Sequence, residues 1–427
     1  MAVRSRPRAV VVVTGSELVR GDRLDANGPY LAAQLVRLGA DPARIIVVGD
    51  REDDLSAAIA EGLTADICVL SGGLGPTHDD RTIELLARAA GRRVIVEPQL
   101  EREIGAVSRS IADRLNRPYG DFAAGVRKQA SVPEGGVVLG LAGTAPGVLL
   151  EHEQGRVAVA LPGPPLELRR LWPNAVATPA LHAILERTKP RGHSLLRFFG
   201  PGESSIARAL AEAGGEGDGL EVTICARDFE IHVDLFAEDG AVGRRDAVVA
   251  ELRSEFQSEL FSEDERPVEE IVLALARARG MTMATAESCT GGLVGARITA
   301  IPGASDVYVG GVVAYADSVK ETQLGVSRAV LAEHGAVSAE AAAAMAQGVR
   351  LTLGADLGAS VTGIAGPEGG SPEKPVGLVF LHVETPTDRQ RVRVELPGDR
   401  ERIRGRAAAW VLHQIRALLS RSGPPSA

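Results

Sequence analysis

Apolar residues fall along the first quarter of the chain in short continuous runs separated by amphipathic stretches. Ala9–Val13 is all apolar and is closed by the turn Thr14-Gly15-Ser16; Arg44–Val48 and Ile67–Leu70 repeat the pattern. Between them, Asn27–Leu38 sets Tyr30, Leu31, Leu35 and Leu38 on one helical face, and Leu55–Leu63 forms a second helix. The loop Ser71–Thr77, SGGLGPT, then leads into a helix over Asp79–Ala90. Continuous apolar strands alternating with helices predict a parallel sheet covered on both faces, with ligands held beyond the carboxyl ends of its strands. Strand-like runs recur at Gly136–Leu139, Gly147–Leu150 and Val157–Leu161, and a helix from about Leu166 closes a first domain over residues 1–175.

The rhythm then changes. Residues 190–257 read as strand (Ser194–Phe199), helix (Ser204–Ala213), two strands (Leu220–Ala226, Glu230–Phe236) and helix (Arg244–Phe256), a small α/β unit in which His232 is a strand residue. Residues 258–267 include the charged stretch SEDERP and lack periodicity, which predicts a linker. A last domain, 268–427, opens with a helix (Val268–Arg279) and a short strand (Met281–Ala286). The turn Ser288-Cys289-Thr290 follows, with a helix opening at Gly291-Gly292. Beyond it come a strand over Val307–Tyr315, the turn Ala316-Asp317-Ser318 before Lys320, and a small-residue helix at Ala339–Leu353. A buried strand at Asp356–Val361 ends in the loop Thr362–Pro367, followed by a strand at Gly377–Glu384 and a final helix over Arg400–Leu419.

Composition narrows the function. At 427 residues with 45% hydrophobic and 24% charged positions, the chain reads as globular and of roughly three domains. Its net charge of −9 argues against a general nucleic-acid binder. No apolar run approaches the roughly 18 residues of a membrane span. Three dispersed cysteines, Cys68, Cys225 and Cys289, suit neither a disulfide framework nor a metal knuckle, and point to the cytoplasm. Only four of the 47 basic residues are lysines: Lys128, Lys189, Lys320 and Lys374. Arginine supplies nearly every surface cation, so a retained lysine is a candidate for work that needs a removable proton.

Two regions carry candidate chemistry. In the last domain, the hydroxyl and thiol groups of Ser288, Cys289 and Thr290 sit at a predicted helix start, where unpaired N–H groups favour developing negative charge. Ordinary capping by Ser or Thr is the plain alternative. In the first domain, Gly72, Gly73 and Gly75 let backbone approach an oxyanion closely. Asp79 and Asp80, with Glu17 and Asp25, are candidate oxygen ligands for a magnesium-like divalent cation, set against simple helix capping. His78 has no partner at zinc-ligand spacing.

Taken together, these motifs resemble the competence/damage-inducible protein A (CinA) family. The N-terminal part is similar to MoaB/MogA-like molybdopterin-binding domains through TGSEL (Thr14–Leu18), Asp25-Ala26-Asn27, Val48-Gly49-Asp50 and SGGLGPTHDD (Ser71–Asp80). The C-terminal part resembles nicotinamide-nucleotide amidase domains through AESCTGG (Ala286–Gly292), the Tyr315…Lys320 spacing, GAVS (Gly335–Ser338), TGIAGPEGG (Thr362–Gly370), KPVG (Lys374–Gly377), Arg400 and Arg404. The resemblance implies a KH-like middle unit and hydrolysis of the carboxamide of nicotinamide mononucleotide to nicotinate mononucleotide and ammonia, with no cofactor. It implies Ser288 as nucleophile, Lys320 as base and Tyr315 as a further catalytic residue. Chemistry alone leaves Ser288 and Cys289 both open. A lysine base must be uncharged, which calls for burial, as from the strand Val307–Val313, or for nearby positive charge. Cys289, Thr290, Gly291, Gly292, Thr362, Gly363 and Gly366 are expected around the substrate, with backbone N–H groups near Thr290-Gly291 or Thr362-Gly363 as oxyanion donors. Arg400 is the expected phosphate partner.

In some members the N-terminal domain is associated with metal-dependent ADP-ribose pyrophosphatase activity, which would use Gly72, Gly73, Gly75 and Thr77 for the ligand and Asp79, Asp80 and Glu17 for the ion. Pterin or nucleotide binding without turnover is the third possibility. The resemblance also implies a homo-oligomer, with a dimer the simplest form. Two departures stand out: the family's usual Tyr-Ser-Asn before the lysine is Tyr315-Ala316-Asp317 here, and Ser16 replaces the common Asp before Glu17.

Overall fold

Ala9 to Val13 are at most 2% exposed, since the first strand lies inside a sheet covered on both sides, with a strand on each flank. The computed structural model describes residues 6–187, 191–227 and 229–421, so Lys189 lies outside the described residues. The chain divides into two compact units, Met1–Arg191 and Gly192–Ala427.

The first unit begins with β1 (Arg8–Thr14), α1 (Ser16–Val19), α2 (Asn27–Arg37), β2 (Asp41–Val48), α3 (Glu52–Gly62), β3 (Ile67–Ser71) and α4 (Thr82–Ala89). It continues with β4 (Val94–Val96), α5 (Pro98–Leu115), α6 (Gly120–Gln129), β5 (Ser131–Pro133), β6 (Val137–Leu141), β7 (Pro146–His152), β8 (Arg156–Leu161), α7 (Pro165–Val176) and α8 (Pro179–Leu185). Strand order is β2-β1-β3-β8-β7-β6, with β2, β1, β3 and β8 mutually parallel and β7 and β6 antiparallel. One core, with Leu31, Leu35 and Trp172, fills one face of this sheet; another, with Leu55, Ile59 and Leu86, fills the other. The hydrophobic pattern assigned no element to 98–129, where Leu100, Ile104 and Val126 build a small separate core under β7. Asp79 and Asp80 precede α4 and do not belong to it, so the expected helix start is three residues too early.

The second unit opens with β9 (Gly192–Phe199), α9 (Glu203–Glu212), β10 (Leu220–Arg227), β11 (Glu230–Ala237), α10 (Val242–Glu255) and β12 (Leu260–Ser262), whose sheet runs β10-β11-β9-β12. The predicted linker 258–267 is corrected here: β12 pairs with β9, and Phe261 is buried. Three residues are too few to show a period, and the charged flank hid them. Next come α11 (Val268–Ala278), β13 (Met283–Glu287), α12 (Leu293–Thr299), β14 (Tyr308–Val313), α13 (Asp317–Leu324), α14 (Arg328–His334), α15 (Ala339–Thr352), β15 (Leu357–Gly363), β16 (Leu378–Glu384), β17 (Arg389–Glu395) and α16 (Arg400–Arg421). Strand order is β14-β13-β15-β16-β17, the first three parallel and the rest antiparallel. The α11 and α16 face and the α15 face each enclose a core. Phe199 of β9 stacks on His413 of α16 with ring centroids 3.8 Å apart, and meets Trp410 edge-on at 4.9 Å.

Candidate active site

Strand β13 sets the small residues Ala284, Thr285 and Ala286 between its parallel neighbours β14 and β15, and all five of its positions are buried. Its carboxyl end projects the turn Ser288-Cys289-Thr290 between the ends of β14 and β15. The Ser288 N–H donates to Val361 O at 2.9 Å, and the Ala314 N–H to Glu287 O at 2.8 Å. Turn, β14 exit and β15 exit therefore meet at one edge of the sheet, where crossover connections leave a crevice.

The expected helix start is corrected in two respects. Helix α12 begins at Leu293, with Gly292 as a left-handed cap at φ +95°. Its amides are already taken: the Glu287 carboxylate, 2% exposed, accepts N–H from Gly292 and Val294 at 3.0 Å each and from Gly295 at 2.9 Å. An internal anion holds this helix end, so it stiffens the turn and is not a free anion site. Gly295 is required for the close packing, as a Cβ there would come within 2.8 Å of the Tyr308 hydroxyl. From the other side, Arg404 of α16 donates Nε to Cys289 O at 3.1 Å and Nη2 to Thr290 O at 2.8 Å. The sequence quoted Arg404 only as part of a motif and gave Glu287 no structural task. The readable signal for Glu287 was a carboxylate closing an otherwise apolar, fully buried strand.

The rival nucleophiles are now distinguishable. Ser288 is 9% exposed. The Cys289 thiol is 5% exposed, and burial, with the Glu287 charge adding to it, pushes it up to about 12, against the opposing pull of nearby backbone amides and Arg404. A thiol so placed carries almost no thiolate at neutral pH. Thr290 and Thr362 are fully buried beneath the crevice; Thr290 Oγ1 has no partner, and Thr362 Oγ1 donates to Ala336 O at 2.7 Å. Gly366 is buried too, while Gly291 is exposed and Gly292 and Gly363 are partly so. Gly291 N–H is used on Ser288 O at 3.1 Å; among the described residues, no backbone acceptor takes the N–H of Cys289 or Thr290.

Lys320 is 1% exposed. Its Nζ donates to Tyr315 O at 3.2 Å and Asp317 Oδ1 at 3.1 Å, and among the described residues no hydrogen bond joins it to Ser288. The dry setting comes from Ala314, Leu324, Met345 and their neighbours rather than from β14, whose positions alternate between half-buried and exposed. The Tyr315 side chain is largely exposed, and its hydroxyl accepts from Arg400 Nη2 at 2.9 Å while Arg400 Nη1 holds Gly366 O at 2.7 Å. Lys374 proves structural, with Nζ on His334 O and Val337 O at 2.8 and 2.9 Å.

In the first unit, Glu17, Gly72, Gly73, Gly75, Asp79 and Asp80 line a cleft of about 400 Å³ at the carboxyl ends of β1 and β3. The glycines serve local packing first: a Cβ on Gly72 would lie 2.5 Å from Thr14 O, and one on Gly75 2.4 Å from Asp80 Oδ2. Thr77 is tied to its own loop, donating its N–H to Asp80 at 2.9 Å and sharing its single hydroxyl proton between the Asp79 and Asp80 carboxylates. That hydrogen bond to Thr77 lowers the Asp79 carboxyl below its ordinary value. Glu17, Asp79 and Asp80, the residues expected to hold an ion, share this cleft, and among the described residues no three acidic, His or Cys groups converge as ligands of one ion. Asp25 is spent on the N–H groups of Asn27 and Gly28. Lys128 Nζ, by contrast, is buried beside the same glycine loop with no hydrogen-bond partner among the described residues, while its charge helps to lower the Asp79 carboxyl.

Comparison with known proteins agrees with both halves. Residues 10–183 match the probable molybdopterin binding domain family, and residues 265–419 the CinA C-terminal domain family. A CinA-like protein of Mycobacterium avium is 42% identical over 393 residues, covering 88% of this chain and 89% of that one. One from Mycobacterium tuberculosis is 42% identical over 434 residues, covering 98% and 99%. A solved competence/damage-inducible protein from Agrobacterium tumefaciens is 35% identical over 38% of this chain and all of its own, with a TM-score of 0.35. Identity of this level over nearly the full length of both partners shows that the chain belongs to the family of CinA-like proteins.

Proposed function

We propose that the C-terminal domain hydrolyses the carboxamide of nicotinamide mononucleotide, releasing ammonia and nicotinate mononucleotide. The observation that carries this reading is a lysine with 1% exposure at the exit of β14, beside the strand end that bears Ser288. Burial this complete is uncommon for a lysine, even one whose amine meets a single, largely exposed carboxylate, Asp317. Ser288 Oγ attacks the carboxamide carbon and passes its proton to Nζ; the N–H groups of Cys289 and Thr290 are the donors for the oxyanion. Nζ returns the proton to the leaving nitrogen as the C–N bond breaks, and water then cleaves the acyl-serine ester. Reaching Ser288 requires Nζ to turn from Tyr315 O and Asp317, a tightening that catalytic contacts commonly undergo when substrate binds. Arg400, exposed at the crevice mouth, suits the substrate phosphate. Incubating the full chain with nicotinamide mononucleotide and measuring ammonia tests the proposal; no release above the uncatalysed rate ends it.

A second reading concerns the first unit, for which Lys128, buried beside the Gly73–Gly75 loop with no hydrogen-bond partner among the described residues, is the supporting observation. We infer that the pocket lined by Gly73, Leu74, Gly75, Asp80 and Lys128 binds a phosphorylated nucleotide or pterin. Calorimetry with the full chain and its Lys128→Ala variant tests it: equal binding by both would remove the basis for the inference.

A further inference from the structure

Among the described residues, Asp317 is the one charged group within hydrogen-bond reach of Lys320 Nζ. Its Oδ1 lies 3.1 Å away, one turn earlier on α13, with the carboxylate side chain 59% exposed and the lysine side chain 2%. The other charges around the crevice are spoken for. Glu287 is taken by three amides, Arg400 by Tyr315 and Gly366, and Arg404 by two carbonyls. On α13 itself Glu321 pairs with Arg328. On α15, packed against it, the ionisable residues are Glu340 in the first turn and Arg350, which pairs with Glu384. The Tyr315 hydroxyl faces Arg400, so only the Tyr315 carbonyl, which carries no charge, shares Nζ with Asp317.

We propose that Asp317 is a positioning residue that holds Lys320 Nζ in place and, through its charge, sets the pH at which that amine becomes free to accept a proton. The proposal rests on the reading of Lys320 as the amidase base. An anion in contact with an ammonium opposes its discharge, so the carboxylate confines the base to more alkaline conditions than a neutral amide at the same position would. Asp317→Asn keeps an oxygen acceptor for Nζ and removes only the charge. Asp317→Glu keeps the charge and lengthens the side chain.

Having four lysines makes a direct test practicable. With the full chain labelled at lysine carbon-13, single Lys→Arg variants at Lys128, Lys189 and Lys374 identify three Cε signals and leave that of Lys320. Its titration midpoint is expected to fall in Asp317→Asn. In ammonia release, the acid limb of the kcat/KM profile is expected to move by the same amount in the same direction, and to stay in place in Asp317→Glu. An unmoved Lys320 midpoint in Asp317→Asn overturns the proposal, as does a loss of kcat with the acid limb unmoved. If the wild type releases no ammonia, the amidase reading fails on its own, and the carbon-13 titration still decides what Asp317 does to Lys320.

Discussion

Arg404 Nε donates to the carbonyl oxygen of Cys289 at 3.1 Å, joining positions 115 residues apart in the chain. With its second bond, to Thr290 O, the guanidinium fixes the peptide planes 289–290 and 290–291, the first of which carries the Thr290 N–H. Displacing a reacting group by about 1 Å costs on the order of 100-fold in rate. Arg404→Ala is therefore expected to lower kcat roughly 10- to 100-fold with a smaller change in KM. Steady-state ammonia release measures it, and a change confined to KM would show that Arg404 binds substrate instead.

Removal of the nucleophile is expected to be far more severe. Ser288→Ala should lower kcat by at least about 1,000-fold, while Cys289→Ala keeps most activity. Lys320→Arg should be as damaging as Ser288→Ala, because a guanidinium does not give up its proton. The same assay reads all three; full activity in Ser288→Ala or Lys320→Arg would refute the Ser–Lys assignment.

The three cysteines should differ in reactivity. Cys225 is exposed, whereas burial pushes Cys68 and Cys289 each up to about 12. Brief iodoacetamide treatment of the native chain at pH 8 should alkylate Cys225 and spare the others, with all three reacting after unfolding. Peptide mass spectrometry checks this, and rapid native labelling of Cys289 would restore it as a rival nucleophile.

Much of the sheet framework was legible in the sequence, and the reason is burial. Strands β1, β3 and β8 are covered on both faces and so read as unbroken apolar runs. Glycine loops marked the strand ends where both crevices lie. Elements whose burial is partial stayed hidden: β17 alternates charged and half-buried positions, and β12 has three residues. The site was legible as a set of residue types but not as a set of partners. Nothing in the local pattern says that Glu287 caps α12, or that Asp317 and not Ser288 meets Lys320 in the free protein, since each depends on side-chain direction. The acidic pair Asp79-Asp80 is the opposite case, its needs being met within its own loop by Thr77.

Acid should loosen the contact between the β9–β12 sheet and α16. Burial pushes the His413 imidazole below its ordinary 6.5, and its Nε2 meets Glu230 at 3.0 Å. Burial alone would raise Glu230, yet hydrogen bonds from His232 and His413 outweigh it and bring the carboxyl down to about 2. Both groups bind protons more readily when unfolded, so their stabilisation is complete above about pH 6.5. It is lost as pH falls, through His413 first and then through Glu230 between 4.5 and about 2. The Tm of the full chain should drop from pH 7 to pH 5, and His413→Gln, which keeps a neutral donor for Glu230, should flatten that drop. An identical pH dependence in the variant would contradict the assignment.

Helix α16 carries Arg400 and Arg404 in its first turns and Trp410 and His413 further along. At 1.5 Å per residue the two ends of that arrangement are about 20 Å apart on one stiff rod. Separating the C-terminal domain from its neighbour would strip Phe199 and Phe261 from this rod and leave an oily stripe with an orphaned imidazole in water. A C-terminal domain made without residues 192–262 would need polar side chains at 410 and 413 to stay in solution.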